Sequence, residues 1–175
     1  MKTTWEAYGI KWGYEVEALK KLKSMGMVVS APSKQHLPLR NAILEALPWV
    51  EWYAKKRKNS PHLIYIYPFR REGQFAAIDG LCTTFYDDGT ATIGLAEDVV
   101  TGDYDYLCLC LLHEAAHLKI TGHGADFVRW LDRIIFEFNK RTGAELKPDL
   151  DYLGLYLDDD GHPIFSADGR AWFVA

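Results

Sequence analysis

Cysteine is scarce in this chain: there are three, an odd number, and two of them, Cys108 and Cys110, sit in an apolar stretch. That count argues against a disulfide-stapled scaffold and points to a reducing compartment, with the thiols serving as small buried hydrophobes. No apolar run reaches the ~18 residues that span a bilayer, and Met1-Lys2-Thr3-Thr4-Trp5-Glu6 carries no signal-peptide pattern. A cytoplasmic chain that does not enter a membrane is therefore expected. An excess of positive charge is missing as well. The formal net charge of −4 argues against nonspecific nucleic-acid binding by the molecule as a whole, although a local basic patch remains compatible with it. The sequence shows no internal repeat and no flexible linker.

What is present is material for a core. At 175 residues and 49% hydrophobic, the chain fits one compact domain, and six Trp among the aromatics imply a core or groove built largely from rings. Apolar residues at Trp5, Tyr8, Trp12, Val16, Leu19 and Leu22 predict an amphipathic helix from Trp5 to about Met25, ended by Gly26. A second helical region is expected from about Pro38 to Lys58, broken or restarted at Pro48. His62 to Tyr67 reads as a strand closed by Pro68. Residues 75–86 and 90–95 read as a hairpin about Asp87-Asp88-Gly89. Thr101 or Asp103 caps a long apolar helix running to about Ile120, and Thr121-Gly122 stops it. A further helix covers Ala125 to Arg141, with Gly143 just past its end, and turn signals after Asp151 predict a terminal meander. The whole is an α+β fold with a small, mainly antiparallel sheet packed with helices. It forms one domain over residues 1–175: a helical N-terminal part (1–60), sheet and site helices (61–143) and C-terminal strands (144–175).

The chemistry is concentrated in His113-Glu114-Ala115-Ala116-His117, followed by His123. Two histidines four apart on a helix differ by only ~40° in direction and ~6 Å in rise, so both imidazoles reach one metal ion from the same face. A catalytic zinc site takes three protein ligands and keeps the fourth position open. His123 supplies the third if the chain turns back at Thr121-Gly122. Glu114, beside the first ligand, then sits where a general base belongs, taking a proton from the attacking water. Because Leu107 to Leu118 is apolar nearly all round, the helix should be buried, and burying two His and a Glu without partners costs several kcal/mol. A bound Zn2+ removes that conflict.

With the trailing His123-Gly124-Ala125-Asp126-Phe127, this motif resembles the minimal zincins of the SprT-like, WLM and YgjP-type group, over about Thr90 to Phe138. The resemblance implies a zincin-like fold with the metal site on a buried helix and His123 opening the next helix as third ligand. It also implies that Phe127 packs that helix, and that the activity is that of a zinc metallopeptidase with protein or peptide substrates. Metzincins share the ligand spacing, but they carry Gly where this chain has Ile120, and no Met follows Met27 to form their Met-turn. A gluzincin arrangement, with Asp126, Asp132 or Glu137 replacing His123, stays open. So does a reading from another class, a nonhydrolytic zinc-stabilised binding or regulatory module, DNA-associated through Lys55-Lys56-Arg57-Lys58.

The remaining signals have plainer readings. The basic run is a solvated helix end before it is a phosphate site, and His36, His62 and His162 read as surface histidines. Cys108 and Cys110 point ~160° apart on a helix and cannot share an ion. Among ten tyrosines, Tyr152 and Tyr156 are slightly preferred as oxyanion stabilisers for lying in the tail.

Overall fold

The computed structural model describes residues 5–7, 10–12, 16–31, 33–56, 63–85, 89–150 and 153–173. The fold is α+β: five helices pack around a small mixed sheet. The body of the sheet is β3 (Leu63–Phe69), β4 (Gly80–Phe85) and β5 (Thr90–Ala96), and two three-residue strands, β1 (Trp5–Ala7) and β2 (Ile10–Trp12), extend one edge. In the order β1-β2-β3-β5-β4, β4 forms the outer strand on the opposite edge.

The expected hairpin is present, with β4 and β5 antiparallel in register Phe85↔Thr90. The sheet as a whole is not mainly antiparallel, because β5 runs parallel to β3 along its full length, from Leu63↔Thr90 to Phe69↔Ala96. Residues 70–79 carry the chain past the position beside β3, so β4 lands outside and the hairpin returns β5 into the gap. Arg71 holds that connection, donating to the Ile78 carbonyl at 2.9 Å and to carboxylates of Asp79 and Asp98 at 2.5 and 2.7 Å.

Three other expectations are corrected. Residues 5–7 and 10–12 form a strand pair, Trp5↔Trp12 and Glu6↔Lys11, and the described helix, α1, covers Val16–Ser24. Apolar and polar residues alternate through Trp5-Glu6-Ala7 and Ile10-Lys11-Trp12, a period of two that outweighs the helical reading. Helix α2 (Leu37–Lys56) passes through Pro48 unbroken. The carbonyl deprived of its partner there belongs to Leu44, which is exposed, so water can replace the lost bond. Strand β3 likewise continues through Pro68, whose carbonyl accepts from Ser30 at 2.9 Å. The missing N–H faces that neighbouring segment, so the ladder to β5 loses nothing.

Helix α3 (Glu97–Thr101) leads into α4 (Tyr104–His117), whose N-cap Asp103 accepts the Tyr106 N–H at 2.8 Å. Leu107, Leu111, Leu112 and Ala116 of α4 are buried between α2, α5 and the sheet. Helix α5 (Ala125–Thr142) turns Phe127, Val128, Leu131, Ile134, Ile135 and Phe138 inward and ends at Gly143, left-handed at φ 75°. No helix among the described residues is long and apolar enough to cross a membrane.

The tail is neither a plain meander nor free of repetition. Three short segments, residues 155–157, 163–165 and 171–173, close into a ring: Tyr156 N–H donates to Trp172, Trp172 to Ile164 and Ile164 to Tyr156, at 2.8–2.9 Å. Bridges Leu157↔Pro163, Phe165↔Ala171 and Leu155↔Phe173 follow the same cyclic rule. The turns between them are equivalent, with Gly161 and Gly169 at φ 82° and 79° and with the side chains of Asp158 and Ser166 each accepting the N–H four residues on. The sequence thus contains an eight-residue repeat. Its first position is buried three times over, at Leu155, Pro163 and Ala171, and its second is exposed at Tyr156, Ile164 and Trp172.

Candidate metal centre

Helix α4 ends at His117, and bonds from Leu118, Lys119 and Ile120 back to Ala115 and Ala116 tighten its last turn. Gly122 then takes φ 76°, a conformation favouring glycine, and the chain reverses so that His123 lies just before the start of α5. The reversal carries the His123 side chain back over α4. Its Nε2 lies 3.1 Å from Nε2 of His113 and 3.1 Å from Nε2 of His117. Among the described residues these three histidines form the metal-competent cluster, with all ligand atoms within 4.8 Å of one another.

The chemistry of this donor set fits a metal ion. Nitrogens bound tetrahedrally at ~2.0–2.1 Å stand roughly 3.3 Å apart, close to the separations found. His117 Nδ1 lies 3.0 Å from the Ile120 carbonyl, which can only accept, so the ring proton sits on Nδ1 and Nε2 presents a lone pair to the cluster. Burial, reinforced by its two histidine neighbours, pushes His113 down to about 3. Burial also lowers His117 and His123. All three rings are therefore neutral near pH 7, the form that ligates.

Phe127 organises the rings. Fully buried, it stacks on His117 at 4.4 Å between centroids and meets His113 and His123 edge-on at 5.0 and 4.9 Å. The resemblance implied an aromatic that packs a helix, whereas Phe127 touches all three imidazoles.

Glu114 is buried at 7% exposure, and burial pushes its carboxyl up to about 8 against a hydrogen bond from the Cys82 backbone. Gly80 makes room for it: a β-carbon there would meet Glu114 Oε1 at 2.6 Å. The outer strand β4 therefore both supports and crowds the carboxylate. Sequence reading missed Gly80 and Cys82 because the strand contact joins residues over thirty positions apart.

His113, Glu114, His117 and His123 line one cleft of about 780 Å³, together with Asp79 and Tyr106. Tyr106 was not singled out from the sequence, although residues 106, 110, 113 and 117 form one stripe of α4. Its hydroxyl donates to Asp79, which Arg71 also holds. Tyr156 is exposed on the tail ring and is not part of the cleft lining, and Tyr152 lies outside the described residues.

The other candidates disperse. Asp126 pairs with Arg129 at 3.7 Å and Asp132 with His162 at 2.7 Å, and neither they nor Glu137 joins the histidine cluster. His162 is thus a half-buried partner of α5. His36 is buried, not superficial: its Nδ1 accepts from the Ser33 N–H at 3.2 Å, leaving Nε2–H to donate to Glu97 at 3.2 Å. His62, Arg57 and Lys58 lie outside the described residues, as do the side chains of Lys55 and Lys56. Cys108 is a free, buried thiol and Cys110 a free thiol on the cleft wall; burial pushes both up to about 12, where they are poor nucleophiles. Comparisons with protein-family models, with curated proteins and with solved structures find no match to this chain.

Proposed function

We propose that the chain is a zincin-like, zinc-dependent metallopeptidase of the cytoplasm that hydrolyses protein or peptide substrates. His113, His117 and His123 hold the ion, and Glu114 is the general base. The observation that carries this reading is the convergence of three neutral imidazole nitrogens beside a buried carboxylate in the wall of one cleft.

A zinc ion in such a donor set supplies Lewis acidity, which lowers the pKa of a water to about 7 and polarises a carbonyl oxygen. With the dication bound, the Glu114 carboxyl, which burial holds protonated near neutral pH in the metal-free protein, would ionise and take a proton from the attacking water. The same carboxyl would then return that proton to the departing nitrogen as the C–N bond breaks. The Cys82 N–H and the close wall at Gly80 confine the carboxylate to one position, so little orientation is lost at the moment of transfer. The Ile120 carbonyl keeps the His117 proton on Nδ1, and Phe127 fixes the ring planes from below.

The test is a protease assay on purified wild-type protein and Glu114→Gln, with metal content measured in parallel. Hydrolysis that falls about 10²–10⁴-fold while zinc is retained supports the reading. Zinc retained with no hydrolysis in either protein favours the nonhydrolytic binding module.

A further inference from the structure

The C-terminal ring presents a surface that the site does not use. Tyr156, Ile164 and Trp172 occupy the same position of the repeat and are 46%, 41% and 53% exposed, and Phe173 next to them is 48% exposed. Four of the nine exposed large hydrophobic residues among those described therefore fall on this one small element, three of them at the same position of its repeat. The backbone beneath is already ordered. Each of the three central residues donates to one neighbour and accepts from the other, so a partner need not immobilise a loop.

Charge selects the occupant. Residues 148–173 contain six aspartates against a single arginine, and the side chains of Lys147 and Arg129, which lie against the turns at Gly161 and Gly169, offset part of that charge and leave an acidic excess. Asp159 and Asp160 stand exposed in the turn between the first two segments. Nucleic acid and anionic lipid surfaces are repelled by such an element, and a second copy of the chain would bring like charges together. A cationic partner is attracted. The strand of chain leading into the ring also carries Pro148 and Asp149, which line the candidate cleft, and that cleft has no Lys or Arg among its lining residues. Ring and cleft thus favour the same sign of charge.

We propose that the ring of Tyr156, Ile164 and Trp172 is a docking surface for a basic, amphipathic polypeptide segment. Aromatic and aliphatic side chains of the segment cover the three exposed residues, and its Lys or Arg residues face the turn aspartates. Trp172, the largest of the three, is the expected hot spot. The surface acts whether or not the cleft hydrolyses peptides.

The test is equilibrium binding by fluorescence anisotropy, in the Glu114→Gln background so that no peptide is consumed. The probes are a labelled peptide rich in Lys, Leu and Phe and its twin with Glu at every Lys. The basic peptide should bind, with affinity falling as salt rises, and the acidic twin should not. Trp172→Ala should weaken binding about tenfold. Asp159→Asn with Asp160→Asn, which leaves the ring untouched, should weaken it several-fold and flatten the salt dependence. Thermal unfolding of each variant checks that the fold is kept, and Ile164→Ser serves as the second apolar variant should Trp172→Ala unfold. Equal binding of both peptides, unchanged binding in the folded variants, or sedimentation showing that Trp172→Ala dissolves a dimer of this chain overturns the proposal.

Discussion

Gly80 and Glu114 are in such close apposition that a single added methyl group would have to share space with the carboxylate, at 2.6 Å from Oε1 and 2.7 Å from Cγ. Gly80 opens the outer strand and Glu114 sits in the last turn of the ligand helix, so the contact locks sheet to helix at the site. Gly80→Ala should displace Glu114 while leaving the three histidines in place. The expected result is activity reduced about 10–10²-fold with zinc stoichiometry unchanged, read by peptidase assay and metal analysis on the same sample.

Phe127 ties the site to the core. Phe127→Ala removes a fully buried ring, which costs about 3–5 kcal/mol, and it also frees the three imidazoles that the ring orients. Chemical denaturation should show the loss of stability. Competition with a chelator should show weaker metal binding in the fraction that remains folded.

Burial raises Glu114 from 4.5 in the open chain to about 8 in the folded, metal-free protein. Between those values the folded state holds a proton that the unfolded state has released, so this group favours folding at low pH and its contribution fades as pH rises towards 8. Glu114→Gln cannot titrate. In chelator-stripped protein the Tm of Glu114→Gln relative to wild type should climb between about pH 4.5 and 8 and then level off. A difference that stays flat across that window would mean the carboxyl is not buried as described.

The eight-residue repeat makes a contrast prediction. Leu155→Ala, at a buried first position, should cost about 2–5 kcal/mol, whereas Tyr156→Ala, one residue on and half exposed, should change stability far less. Comparable losses from the two would contradict the ring.

Much of this was readable from local signals. Asp103 as cap, the turn glycine at 122, Gly143 as helix stop and the spacing of His113, His117 and His123 all act within a few residues. The mixed sheet was not readable, because whether β4 lies inside or outside β5 depends on how residues 70–79 cross the sheet, and Arg71 settles that through bonds to Asp79 and Asp98. The strand pair at residues 5–7 and 10–12 was hidden by a helical period that its aromatics also satisfy. The tail repeat was present in the sequence as Asp160-Gly161 and Asp168-Gly169 eight residues apart, but only the ring of backbone bonds gives that spacing a meaning. Gly80 and Cys82 reach the site through tertiary packing, for which no local pattern exists, whereas Tyr106 shares one stripe of α4 with His113 and His117.

The central claim is that three imidazoles, one supplied by a turn and not by the helix, form one metal site. Zinc analysis of purified wild-type protein beside His123→Ala tests it most directly. The account predicts about one zinc per wild-type chain and a loss of at least about tenfold in zinc affinity for His123→Ala, with the fold retained. A folded wild-type chain with no zinc and no affinity for it, or zinc bound equally well without His123, would contradict it.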